Sequence, residues 1–146
     1  MTLVSDIKTR LEAEVTALTG RVDEVADLAV LVSTGALPQR NPAAFVVPLG
    51  FDGGTPDAAA GLYRQSTTET VGVILFVEAA GDPRARRALA TVDQLKDAVV
   101  AAIAGWAPDD AIGVFVARRG RLVSVNAGTV IYQIDFSLMD QLRIAS

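Results

Sequence analysis

A few residues have the types and spacing that could do chemistry. The run Gly50-Phe51-Asp52-Gly53-Gly54-Thr55-Pro56 is rich enough in glycine to cradle a phosphate. A phosphate-binding loop closes on Gly-Lys-Ser/Thr and opens into a helix, and this run does neither. Its ordinary reading is a flexible loop. Asp52 and Asp57 are hard-cation ligands by type, but their spacing matches no calcium loop. Asp109 and Asp110 follow Pro108 as an acidic pair. Paired carboxylates work as acid and base when a cleft drives their pKa values apart. Neighbours at a turn more often point apart into water. Asp23, Glu24 and Asp27 suit the start of a helix, where negative charge meets the dipole. Two arginine clusters remain: Arg84, Arg86 and Arg87, and Arg118, Arg119 and Arg121. The guanidinium fork pairs with carboxylates on another chain, which makes these clusters interface candidates. The competing reading is a solvated charged face.

What is missing narrows the chemistry further. The chain has no Cys and no His. Thiol catalysis, Ser-His-Asp triads and nearly every transition-metal site need one or the other. No catalytic, cofactor or metal-binding residue is therefore expected. The net charge is −4, from 13 basic and 17 acidic side chains. A mildly acidic chain argues against gripping a phosphate backbone, which needs clustered cations. No apolar stretch approaches the ~20 residues that span a bilayer. Met1 to Ser5 runs straight into Asp6, Lys8 and Arg10, unlike a signal peptide, so assembly in the cytoplasm of the producing cell is expected.

The elements that must position these residues can be read along the chain. Its 146 residues, 51% of them hydrophobic, fit one domain (1–146) with a real core. Leu3, Ile7, Leu11, Val15 and Leu18 recur at helical spacing, and Gly20 supplies a stop. A shorter helix is expected over 24–32, ended by Gly35 and Pro38. Residues 43–49 carry β-branched and aromatic side chains and read as a strand, with Pro48 at its end or edge. A long loop is expected at about 50–65, and loops of that length are usually functional. Residues 67–79 alternate as the strongest strand, apolar on both faces. Residues 82–105 make the strongest helix. Asp82 caps it, Pro83 suits its first turn, and Gly105 closes it. Its buried stripe is expected to be Leu89, Val92, Leu95, Val99 and Ile103. Strands follow at 111–117, 122–125 and 129–136, with turns at Arg119-Gly120 and Asn126-Ala127-Gly128. The tail from Met139 to Ser146 is expected to be peripheral. This order gives an α+β fold: a mostly antiparallel β-sheet with two to three helices packed on one face.

Several segments resemble one family. The run Pro42-Ala43-Ala44-Phe45-Val46-Val47-Pro48-Leu49-Gly50 resembles a segment of phage tail terminator proteins. Gln65 and Thr68-Glu69 lead into the long strand as they do there. The helix end Ile103-Ala104-Gly105-Trp106-Ala107-Pro108 and the closing stretch from Gly120-Arg121-Leu122 to Tyr132-Gln133-Ile134-Asp135-Phe136 are similar to that family's helix end and C-terminal meander. The resemblance covers nearly the whole chain.

The resemblance implies a structural virion protein rather than an enzyme. Such proteins form a homo-oligomeric ring, commonly a hexamer, on the head-proximal end of the tail tube. The ring stops tube polymerisation and offers the surface to which the neck or head-completion protein attaches, while DNA passes through its lumen without specific binding. Expected partners are thus other copies of the chain, the tail tube protein and the neck protein, with no membrane. Aromatic and arginine side chains dominate interface energies. Phe51, Tyr63, Arg64, Arg84, Arg86, Arg87, Trp106, Arg118, Arg119 and Arg121 are accordingly the candidate subunit and tube contacts, with Phe51, Tyr63, Trp106 and the arginines expected at the surface. Another head–tail joining protein is the nearest alternative. A small cytoplasmic ligand-binding domain or enzyme is a remote one, and it would require a deep pocket with converging polar groups.

Overall fold

A computed structural model describes residues 2–24, 41–59, 61–78, 86–108, 111, 113–126 and 128–145. The order is α1 (Leu3–Glu14), a 3-10 turn (Thr16–Leu18), β1 (Val22–Glu24), β2 (Ala43–Gly53), β3 (Asp57–Ala59), β4 (Leu62–Glu78), α2 (Arg86–Ile103), β5 (Phe115–Asn126) and β6 (Thr129–Ala145). The strands form one sheet in the order β1-β2-β4-β6-β5, with β3 added to β4. Among the described residues only the short β1–β2 pair is parallel; the other pairs are antiparallel. This is the expected α+β architecture.

The register explains why the two described helices share one face. Cross-strand partners share a face, and side chains alternate along a strand. Val71, Val73, Leu75 and Val77 of β4 therefore project with Ala44 and Val46 of β2 and with Val130, Ile134 and Phe136 of β6. These residues form one core cluster with Ile7 and Leu11 of α1 and with Val92, Leu95 and Val99 of α2. The other face of the same strands carries Phe45 and Phe76, whose rings meet edge to face at 5.5 Å.

Helix α1 starts with a reciprocal cap. Ser5 N–H donates to Thr2 Oγ1, and Thr2 N–H donates to Ser5 Oγ, both at 3.1 Å. The helix is shorter than its apolar spacing implied. It ends at Glu14 because Val15 turns extended, and Leu18 reaches the core from the 3-10 turn instead. Thr19 Oγ1 and Gly20 N–H then donate back to Glu12, folding the chain over the helix end. The stripe of α2 is Ala88, Val92, Leu95, Val99, Ala102 and Ile103. Leu89, expected in it, is exposed. Gly105 ends the helix at φ 80°, a conformation that costs a side-chain-bearing residue more.

Other expectations are corrected. The segment at 50–65 is not a long loop. β2 runs on to Gly53, β3 occupies Asp57–Ala59, and β4 begins at Leu62. Glycines there sit within a paired ribbon rather than in open chain. Arg119-Gly120 is not a turn: β5 is continuous from Phe115 to Asn126, with bulges after Ala117 and Leu122. Gly120 is required for space, since a Cβ there would lie 2.5 Å from the Tyr132 hydroxyl and 2.9 Å from its ring. The tail is not peripheral; β6 continues to Ala145, paired to β4 throughout. Glu24 ends a strand rather than opening a helix. The rest of the helix expected over 24–32, the Asp82-Pro83 cap, Arg84 and the Asp109-Asp110 pair lie outside the described residues.

Candidate assembly interface

The longest strands outrun their own core. β4 and β6 have 17 residues each, about 55 Å of chain at ~3.3 Å per residue. Their core residues stop at Val71 and Leu138. β5 also stops there, its first pair being Phe115 with Leu138. Residues 62–70 and 139–145 thus continue as a ribbon, flanked by the end of β2 and then by β3.

The two faces of this ribbon differ. The face continuous with the core carries Tyr63, Gln65, Thr67 and Glu69 from β4 opposite Ile144, Leu142, Asp140 and Leu138 from β6, with Phe51 opposite Glu69. Phe51 is 69% exposed, Ile144 51% and Leu142 41%. The far face carries Arg64 directly opposite Arg143. Like charges facing each other across a ladder are unfavourable, and Asp57 on the other flank of Arg64 offsets part of that cost.

Where the ribbon leaves the core, α1 stands over it and leaves an open groove of about 720 Å³. Asp6 and Glu14 line it from α1, and Glu69 and Asp140 from the ribbon. Among the described residues its one cation is Arg10, which already has three contacts. The guanidinium donates to Ala102 O at 3.0 Å, pairs with Glu14 at 3.3 Å and lies 5.3 Å from the Trp106 ring centre. Trp106 in turn stacks on Phe115 at 5.8 Å. The groove is therefore acidic on balance. Among the described residues, no three His, Cys, Asp or Glu side chains gather as a metal site.

The opposite flank of the sheet is cationic. β5 is its edge strand. Arg119 and Arg121 project away from the helices, on the face of Asp135 and Gln133. Arg118 Nε donates to Ser137 Oγ at 2.6 Å, and Arg119 lies 3.5 Å from Asp135, which also accepts from Gln133. Arg121 is exposed and forms no ion pair among the described residues. Beside them Leu122, Val123 and Val125 are each about half exposed.

The structure thus brings the second arginine cluster together and puts Phe51 and Tyr63 on one ribbon face. Tyr63 is half-buried and donates its hydroxyl to Gln65. Arg64 lies on the other ribbon face, and Arg86 and Arg87 are exposed in the first turn of α2. Trp106 is half-buried between Arg10 and Phe115, so it holds α1 and the α2 end to the sheet rather than standing free as expected. Sequence reasoning missed Arg10, Glu69, Asp140, Leu142, Arg143 and Ile144. Their signal was the alternation of Leu138, Asp140, Leu142 and Ile144, which has a strand's period of two.

The sequence model of the family described as phage tail terminator protein matches residues 2–146. The chain belongs to that family. The phage tail terminator family is one of structural tail proteins, and this member is a phage tail structural protein. Among solved structures, one similar chain belongs to the virion of a native gene transfer agent particle. It aligns with a TM-score of 0.59 and 13% identity, over 97% of this chain and 100% of that one. At that identity the likeness speaks to the fold. No curated protein sequence matches the chain.

Proposed function

We propose that this tail terminator forms a ring, commonly a hexamer, on the head-proximal end of the tail tube. The ring stops addition of tube subunits and offers a surface to the neck or head-completion protein, with DNA passing through its lumen unbound. It does this by surface contacts alone, with no catalytic step. The observation that carries this reading is the family match across residues 2–146. The geometry supports it through two uncovered surfaces at different places on one subunit, which is what a head-to-tail ring requires. The ribbon face and the β5 edge differ in shape and charge, so neither is built to meet itself.

The test is loss of the gene. Particles lacking this protein should carry overlong tails without attached heads, and adding the purified chain to growing tubes should fix their length. Tails of normal length in the deletion would overturn the proposal. Electron microscopy of labelled particles should find the chain between tube and neck. Label at the neck alone would indicate a different head–tail joining role.

A further inference from the structure

We infer that the acidic groove and apolar ribbon face of one subunit receive the arginine-bearing β5 edge of the next copy. This rests on the ring reading above and names its contact.

Three observations select a second copy as the occupant. The ribbon face leaves Phe51, Leu142 and Ile144 uncovered, on a part of the sheet with no core beneath it. A ribbon of this kind is marginal in water without a packed face. The groove at its base holds four carboxylates against one engaged cation. Among the described residues neither Glu69 nor Arg121, at the far flank, forms a side-chain ion pair. The β5 edge supplies what the groove lacks: three arginines within four residues, with half-exposed Leu122 and Val125 on the opposite face of the same edge strand. Within one chain these groups cannot meet. Arg121 and Glu69 project from opposite faces of the sheet, as the pairs Arg121–Gln133 and Glu69–Leu138 fix.

Each contact joins two different surfaces, so every added copy leaves one groove and one edge open until a ring closes. β5 is also an unpaired edge, a natural template for association, and its two bulges limit how flatly another strand can add. The contact is therefore made by side chains seated on the ribbon, with charge setting the register. A stable junction needs on the order of 1,200–2,000 Å² of buried surface, so the groove alone is too small and the ribbon face must take part.

The chain lacks cysteine, which gives a clean trap. The double variant Glu69→Cys/Arg121→Cys, treated at assembly concentration with a bis-maleimide about as long as a glutamate and an arginine side chain end to end, should give a ladder of linked chains ending at the ring. Each single variant should give dimers at most. Charge reversal supplies a second readout. E69R or R121E alone should weaken association by roughly tenfold or more, and the two combined should restore it. Both positions are exposed, so melting temperatures should stay near wild type. If E69R misfolds, D140R tests the same face. A double-cysteine variant that links no better than the singles overturns this contact. If wild type still forms rings in that case, the terminator reading stands without it. If wild type neither forms rings nor halts tube growth, the terminator reading falls as well.

Discussion

β4 and β6 form one continuous ladder, yet its two halves have different work. From Val71 to Glu78, β4 pairs with β6 beneath both helices, and alternate side chains are buried. From Leu62 to Thr70 the pairing continues without a break, and among the described residues only the open groove beside α1 adjoins it. Backbone hydrogen bonding is equivalent in the two halves. What differs is cover. The covered half supplies folding stability, because burial of apolar surface is its main source. The uncovered half contributes little to folding and keeps its apolar surface available to another molecule. A protein whose role is assembly gains from this division, since changes to the contact surface leave the fold intact.

The sharpest way to break this comparison is to cut into each half. Phe136→Ala, in the covered half, removes a fully buried ring and should cost about 3–5 kcal/mol. Urea or thermal unfolding measures this directly. A cost below about 1 kcal/mol would mean that the helices do not close over the sheet as described.

Gly120→Ala comes next and tests the boundary strand. Its new Cβ would meet the Tyr132 ring, and overpacking of this kind should cost about 1–3 kcal/mol. Combining it with Tyr132→Ala should give less than the sum of the two single costs, because the clash is removed. Additive costs would show that Gly120 serves some other need. Smaller again is Thr2→Ala, which breaks the α1 cap and should cost about 1 kcal/mol. Amide exchange at the first turn of α1 should rise, with the sheet unaffected.

This division into halves explains which parts of the structure were legible in the sequence. α2 was readable because Val92, Leu95, Val99 and Ile103 repeat at the helical period on a buried face. The centre of β4 was readable for the equivalent reason at period two. The ribbon was not, because its signals conflict. Gly50 and Gly53, followed by Gly54 and Pro56, have the composition of a loop, and only pairing with a distant segment makes the first two a strand end. Arg119-Gly120 has the composition of a turn, and only the Tyr132 ring explains its glycine. β1 has three residues and is fixed by parallel pairing to β2, which no local pattern announces. The candidate contacts were legible in part by residue type: Phe51 and Arg118 to Arg121 sit on exposed surfaces. Glu69 and Asp140 were invisible as a pair because α1 and the ribbon meet over them only in the folded chain.

The smallest expected effect on stability is also the most informative. Ile144→Ser changes a half-exposed side chain at the ribbon tip, where its cross-strand partner is Tyr63. Surface changes away from a packed core fall within about 0.5 kcal/mol, so the unfolding midpoint should barely move. The backbone amides of Leu142 and Ile144 should exchange far faster in the isolated subunit than those of Ile134 and Phe136 on the same strand, since little burial opposes local opening. Association should weaken, because the same side chain lies on the face left for another copy. A large loss of stability from Ile144→Ser, or equal protection along all of β6, would mean the ribbon belongs to the core, and the two halves of the ladder would then be one.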